Sequence, residues 1–116
     1  MPAAAKQGVR AKLAEPVRLD TAPGSKIRVT WRLVDENGQP FGASGIYLRV
    51  SRCSRRPLKI PATERGLGRY SARVEVPKRG IRKLFVGLKG WRIIGEQKER
   101  ADAFFQFDPP LYRRCS

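Results

Sequence analysis

Lys26-Ile27-Arg28-Val29-Thr30-Trp31-Arg32-Leu33-Val34, followed at once by Asp35-Glu36-Asn37-Gly38, decides the fold class of this chain. Ile27, Val29, Trp31 and Leu33 fall on one face and Lys26, Arg28, Thr30 and Arg32 on the other. Strict alternation of this kind is the period of a half-buried strand. Asn37-Gly38 is a strong tight-turn signal. The alternation recurs along the chain. Ile46, Leu48 and Val50 alternate with Tyr47, Arg49 and Ser51; Tyr70, Ala72, Val74 and Val76 with Arg69, Ser71, Arg73 and Glu75. Leu84, Val86 and Leu88 alternate with Lys83, Phe85 and Gly87, and Ala101, Ala103, Phe105 and Phe107 with Asp102, Phe104 and Gln106. Two weaker segments, 9–19 and 58–62, contain Pro16 and Pro61, which suits edge strands.

Strands are therefore expected over 9–19, 26–34, 45–52, 58–62, 69–76, 81–89 and 100–107, and no stretch has the pattern of an amphipathic helix. About seven antiparallel strands in roughly 100 residues is the arithmetic of an immunoglobulin-like β-sandwich. Trp31 is assigned to its core, with Leu33, Leu48, Val74, Val86 and Phe105. At 116 residues the chain is expected to hold one domain, 9–110, after a disordered segment, 1–8, and before a basic tail, 111–116. No uncharged apolar run is long enough to span a bilayer. Residues 1–8 lack the apolar centre of a signal peptide, so the chain is either cytoplasmic or begins after a removed signal.

Composition removes chemistry. There is no His, the single Met is Met1, and there are only two Cys. The commonest acid/base group is absent, and serine and cysteine triads with it. Zinc and copper sites lack their ligands. Gly66-Leu67-Gly68 opens a strand rather than a helix, which argues against a phosphate cradle. Asp35–Glu36 and Glu96–Glu99 read as solvated surface charge. No catalytic residue, metal site, cofactor or small-molecule substrate is expected.

Several phrases occur together: Pro23-Gly24-Ser25 before the Trp31 strand, Gly68-Arg69-Tyr70-Ser71-Ala72, Val76-Pro77-Lys78-Arg79-Gly80-Ile81, Gly87-Leu88-Lys89-Gly90-Trp91 and Ala101-Asp102-Ala103-Phe104-Phe105. Over residues 9–110 they resemble uncharacterised bacterial immunoglobulin-like sandwich domains that are often exported, broadly similar to copper-accessory and carboxypeptidase-regulatory-like sandwiches. The resemblance implies a non-catalytic domain of an exported or cell-envelope protein. Its copper-handling branch fails here, because the His and Met ligands are missing.

Lys and Arg number 25 against 10 acids, a formal net charge of +15. If consecutive strands reverse direction, Arg52, Arg55, Arg56, Lys78, Arg79, Arg82, Lys83, Arg113 and Arg114 all fall at one end. Only Asp20 and Asp108 oppose them there. Arg outnumbers Lys 17 to 8, and a guanidinium suits bidentate contact with phosphate and carboxylate. Cys53 and Cys115 fall at the same end. A bridge between them would add roughly 3–4 kcal/mol by the chain-entropy argument. Two separate thiols, or a link between two chains, are the alternatives. The leading functional expectation is a binding or assembly domain that recognises a protein partner, with Trp91 and Phe104 as exposed aromatic anchors. The alternative is a module that binds nucleic acid, an acidic glycan or an anionic surface through the basic end.

Overall fold

Where a strand has one apolar face, burying that face dictates its partner. In the computed structural model, which describes residues 8–53 and 55–115, these faces meet in one core. The strands are β1 (Arg10–Leu13), β2 (Lys26–Val34), β3 (Ile46–Arg52), β4 (Leu58–Pro61), β5 (Thr63–Gly66), β6 (Arg69–Glu75), β7 (Ile81–Leu88), β8 (Trp91–Ile94), β9 (Gln97–Arg100) and β10 (Ala103–Tyr112). There is no helix among the described residues, so the protein is all-β. Residues 1–7, most of the segment expected to be disordered, lie outside the described residues.

Eight strands form one mixed sheet in the order β4-β3-β7-β10-β1-β2-β6-β5, and β8 and β9 form a separate hairpin. All pairings are antiparallel except β1 with β10, where Ala11 opposes Phe107 and Lys12 opposes Asp108 in parallel. The sheet curls until its two edge strands, β4 and β5, are consecutive in the chain, separated only by Ala62. The result is nearly barrel-shaped.

Four boundaries differ from the sequence reading. The strand expected over 9–19 ends at Leu13. The one expected over 58–62 and its continuation belong to opposite edges, as β4 and β5. The stretch between the strands expected over 81–89 and 100–107 contains the hairpin β8–β9. The last strand runs on to Tyr112 instead of stopping at Phe107, so Leu111 and Tyr112 leave the expected tail. Its register with β7 shifts between Gln106 and Leu111. The four residues between them, including Pro109 and Pro110, bulge out of that ladder, so the missing proline N–H groups cost it nothing.

The core is the one the alternation predicts. Trp31, Leu33, Leu48 and Val86 are wholly buried and Val74 nearly so, while Phe105 is half-buried against them. Trp31 stacks on Tyr70 with ring centroids 6.2 Å apart and meets Phe107 edge-on at 5.3 Å. Tyr70 in turn donates its hydroxyl proton to the Ala43 carbonyl and accepts from the Ala43 N–H, which ties the β2–β3 connection to the core. Trp31 Nε1 has no hydrogen-bond partner among the described residues. Packing alone therefore holds this side chain. Trp31→Ala is expected to cost about 3–5 kcal/mol, measured as a shift in the urea midpoint. Trp31→Phe, which keeps a ring and removes the unpartnered N–H, is expected to cost clearly less.

Candidate functional site

Strand direction decides which loops share an end. The pairings make β1, β3, β6 and β10 run one way and β2, β4, β5 and β7 the other. Residues 14–25, 53, 55–57, 76–80 and 113–115 thus gather at one end. Splitting 58–62 into two edges leaves this parity intact, because β4 and β5 run in the same sense. The disulfide Cys53–Cys115 closes the cluster, with Cα atoms 5.7 Å apart.

Of the clefts that flank the disulfide, one of about 420 Å³ is lined by Asp20, Lys78, Arg79 and Arg113, and two more have only cations as their charged lining. One of these two, of about 230 Å³, is lined by Arg52, Arg55, Lys78 and Arg79. The other, of about 540 Å³, is lined by Arg52, Arg82, Lys83, Tyr112, Arg113 and Arg114. Arg56 belongs to the same loop, its carbonyl accepting two hydrogen bonds from the Arg52 guanidinium at 2.9 and 2.6 Å. All nine cations singled out from the sequence are therefore brought together. Gly80 makes one approach possible. Its φ is +87°, and a Cβ there would lie 2.8 Å from the Arg113 guanidinium. Arg113 lies across this turn and donates toward the Leu19 carbonyl at 3.4 Å. Of the two acids expected to oppose the cluster, Asp20 is held in a 3.1 Å ion pair by Arg18, and Asp108 is exposed in the β10 bulge.

Basic charge is not confined to this end, contrary to the expectation of a single pole. On the outer face of β1-β2-β6, Lys12 opposes Arg32, Arg32 opposes Arg69, and Arg28 opposes Arg73. Like charges directly opposite on neighbouring strands are unfavourable by some tenths of a kcal/mol each. None of these five side chains has an ion pair among the described residues.

The outer face of β4-β3-β7-β10 is organised around one carboxylate. Asp102, with a side chain 7% exposed, accepts from the Tyr47 hydroxyl at 2.6 Å, Arg100 at 3.0 Å and Lys59 at 3.2 Å. Burial alone would raise its carboxyl, but these three donors outweigh burial and hold it well below the usual carboxylate range. Burial, then the bond to Asp102, push the Tyr47 phenol above its ordinary range. Tyr47 lies flat across Gly87, where any Cβ would come within 2.3 Å of the ring. Its ring meets Phe104 edge-on at 6.2 Å.

Phe104 is 43% exposed, with the Arg49 guanidinium 4.5 Å over its ring. Trp91 stands on β8 at 53% exposure, with the Lys98 ammonium 5.2 Å over it. The two aromatics expected at a protein interface are thus exposed but sit on different sheets. Ile93 and Ile94, also exposed, extend the apolar surface of the hairpin beyond what the sequence reading picked out. That reading also passed over Phe85 and Arg49. Their signal was present in the alternation, which sets both on the face away from the core.

No group of three or more His, Cys, Asp or Glu able to hold a metal occurs among the described residues, and no helix there is long and apolar enough to cross a membrane. No family model, curated protein or solved structure matches the chain.

Two outcomes test this geometry. Asp102→Asn is expected to lower stability by about 1–3 kcal/mol at neutral pH. Because the folded-state carboxyl is depressed, its contribution is complete above the unfolded value of about 3.9 and is lost as pH falls through the folded value. The gap between wild type and Asp102→Asn in urea melts should be constant from neutral pH down to about 5 and close below about 4. Replacing Cys53 and Cys115 together by Ser should lower the urea midpoint by the equivalent of roughly 3–4 kcal/mol.

Proposed function

We propose that the chain is a non-catalytic, immunoglobulin-like sandwich domain that binds a polyanion through its basic end. In this reading the curled sheet works as two layers, β1-β2-β6-β5 facing β4-β3-β7-β10 across the Trp31 core, with β1 and β10 as the seam. The strand order and the residues shared by the core support it. One observation carries the functional half. Nine cations, from two loops, the adjoining strands β3 and β7 and the tail, gather about the Cys53–Cys115 bridge, and eight of them line clefts there. A packed cluster of like charge draws anions over about a Debye length, roughly 8 Å at physiological salt. The disulfide supports an oxidising setting, hence an exported or cell-envelope protein. The absence of His from the sequence supports the reading of a domain that binds rather than catalyses.

A second reading, recognition of a protein partner, is favoured by the hairpin. Trp91, Ile93 and Ile94 are 53, 77 and 54% exposed and lie close in sequence. An apolar surface of this kind is a common protein-binding feature.

Heparin affinity chromatography tests the first reading. Arg55, Arg56, Arg79 and Arg82 replaced together by Gln should elute at much lower salt than wild type. Arg28, Arg32, Arg69 and Arg73 replaced by Gln remove the same charge and relieve three cross-strand repulsions. That variant should elute near wild type. Equal elution of both variants would reduce the cluster to a general charge effect.

A further inference from the structure

The sheet that ends at the basic cluster carries a second pattern on its outer face, visible only once its register is known. Three successive rungs cross β3, β7 and β10. The first sets Tyr47, Gly87 and Phe104 side by side, the second Arg49, Phe85 and Gln106, the third Ser51, Lys83 and Tyr112. Rungs two residues apart lie about 7 Å from one another along a strand. Each rung places one aromatic ring on the outer face: Phe104, exposed, then Phe85, half-buried, then Tyr112, exposed. Tyr47, in the first rung, is buried and belongs to the Asp102 hub.

Cations are interleaved with these rings. Arg49 lies 4.5 Å from the Phe104 centroid and 5.9 Å from that of Phe85, and Lys83 also lies 5.9 Å from Phe85. Tyr112 is 67% exposed. It lines a cavity of about 200 Å³ with Phe85 and Gln106, and also the 540 Å³ cleft of Arg82, Arg113 and Arg114. The row of rings therefore runs straight into the cation cluster.

We propose that this face binds single-stranded nucleic acid, its bases stacked on Phe104, Phe85 and Tyr112 and its phosphates held by Arg49, Lys83 and the adjoining cluster. The proposal rests on the polyanion reading and narrows its ligand. Stacking on aromatic and guanidinium planes combined with a cationic track is how sequence-tolerant single-strand binding works. An acidic glycan would find donors here in Arg49, Gln106 and Lys83, but it has no planar base to stack on each of the three rings. Asp102, the carboxylate of this face, is already engaged by Tyr47, Arg100 and Lys59. The three rings also continue one per rung, which suits a polymer with one planar group per backbone unit. Their positions are set by structural contacts. Tyr47 on Gly87 braces Phe104, and the bulge of β10 sets Tyr112 beside Lys83.

Three polyanions titrated onto the wild-type protein at matched salt test this, read by fluorescence anisotropy with labelled probes. One is an oligothymidylate of about 12 nucleotides, within the roughly 4–16-nucleotide span of single-strand sites. The second is an abasic phosphodiester of the same length, and the third is heparin. The proposal expects oligothymidylate to bind about tenfold or more tighter than the abasic strand. Tyr112→Ala and Phe104→Ala should each erase most of that advantage and leave heparin binding unchanged. Tyr112 is two-thirds exposed, so its variant keeps the fold even if Phe104→Ala does not. Equal binding of the base-bearing and abasic strands would overturn the stacking face and leave the polyanion reading standing. Tight heparin binding that these two substitutions weaken, with no preference for oligothymidylate, would assign the face to a glycan instead and overturn the proposal. No binding of any probe would overturn both readings.

Discussion

The double allegiance of β10 holds this protein together. Ala103 to Gln106 pair with β7, Phe107 and Asp108 pair with β1, and Leu111 and Tyr112 return to β7. The four residues between Gln106 and Leu111 bulge out of the ladder with β7, and two of them, Phe107 and Asp108, pair with β1 instead. The consequences spread outward. The sheet becomes continuous from β4 to β5. Phe107 turns inward against Trp31. Phe104 and Tyr112 remain on the outer face, and the chain emerges where Cys115 can reach Cys53. Without the bulge, the same faces would be kept but Tyr112 would stand opposite Arg79 instead of Lys83.

Opposite the bulge, the first rung is held by a polar contact on an otherwise cationic face. Asp102 takes bonds from one phenol and two cations, so a nearly buried carboxylate is fully partnered. Tyr47 reaches it by lying across Gly87, a position no residue with a Cβ can occupy without displacing the ring. The hub fixes Tyr47, Tyr47 supports Phe104, and Phe104 lies beneath Arg49. Packing and charge act in sequence here, each setting the geometry of the next.

A chain of net charge +15 tolerates its own repulsion because most of its cations stand in water. Exposed like pairs such as Arg28–Arg73 cost only tenths of a kcal/mol each, while the Trp31 core contributes several through a single side chain. The charges are therefore free to be arranged for long-range attraction. The same argument explains why the basic end survives as a cluster. The disulfide, and the backbone hydrogen bond from the Arg113 N–H to the Arg82 carbonyl, bring the tail back against β7 and outweigh the repulsion of its two arginines.

The alternation of β2, β3, β6 and β7 was legible in the sequence because each of these strands buries one face, and a buried face leaves a period of two in the chain. The core around Trp31 and the gathering of Arg52 to Arg56, Lys78 to Lys83 and Arg113 to Arg114 at one end followed from that alternation and from reversal of direction at each turn. The Cys53–Cys115 pairing was consistent with it but not compelled by it. Strands exposed on both faces leave no such trace: β5 and β9 are exposed at every position, so the crossing at Ala62 and the hairpin β8–β9 escaped the sequence reading. Pro109 and Pro110 hid the true length of β10 for a related reason, since a proline reads as a strand end unless a bulge frees it from the ladder. The row of Phe104, Phe85 and Tyr112 was beyond the sequence altogether. Alternation sets the face on which each ring lies, but which ring stands beside which is decided by cross-strand register, and register is a property of tertiary pairing.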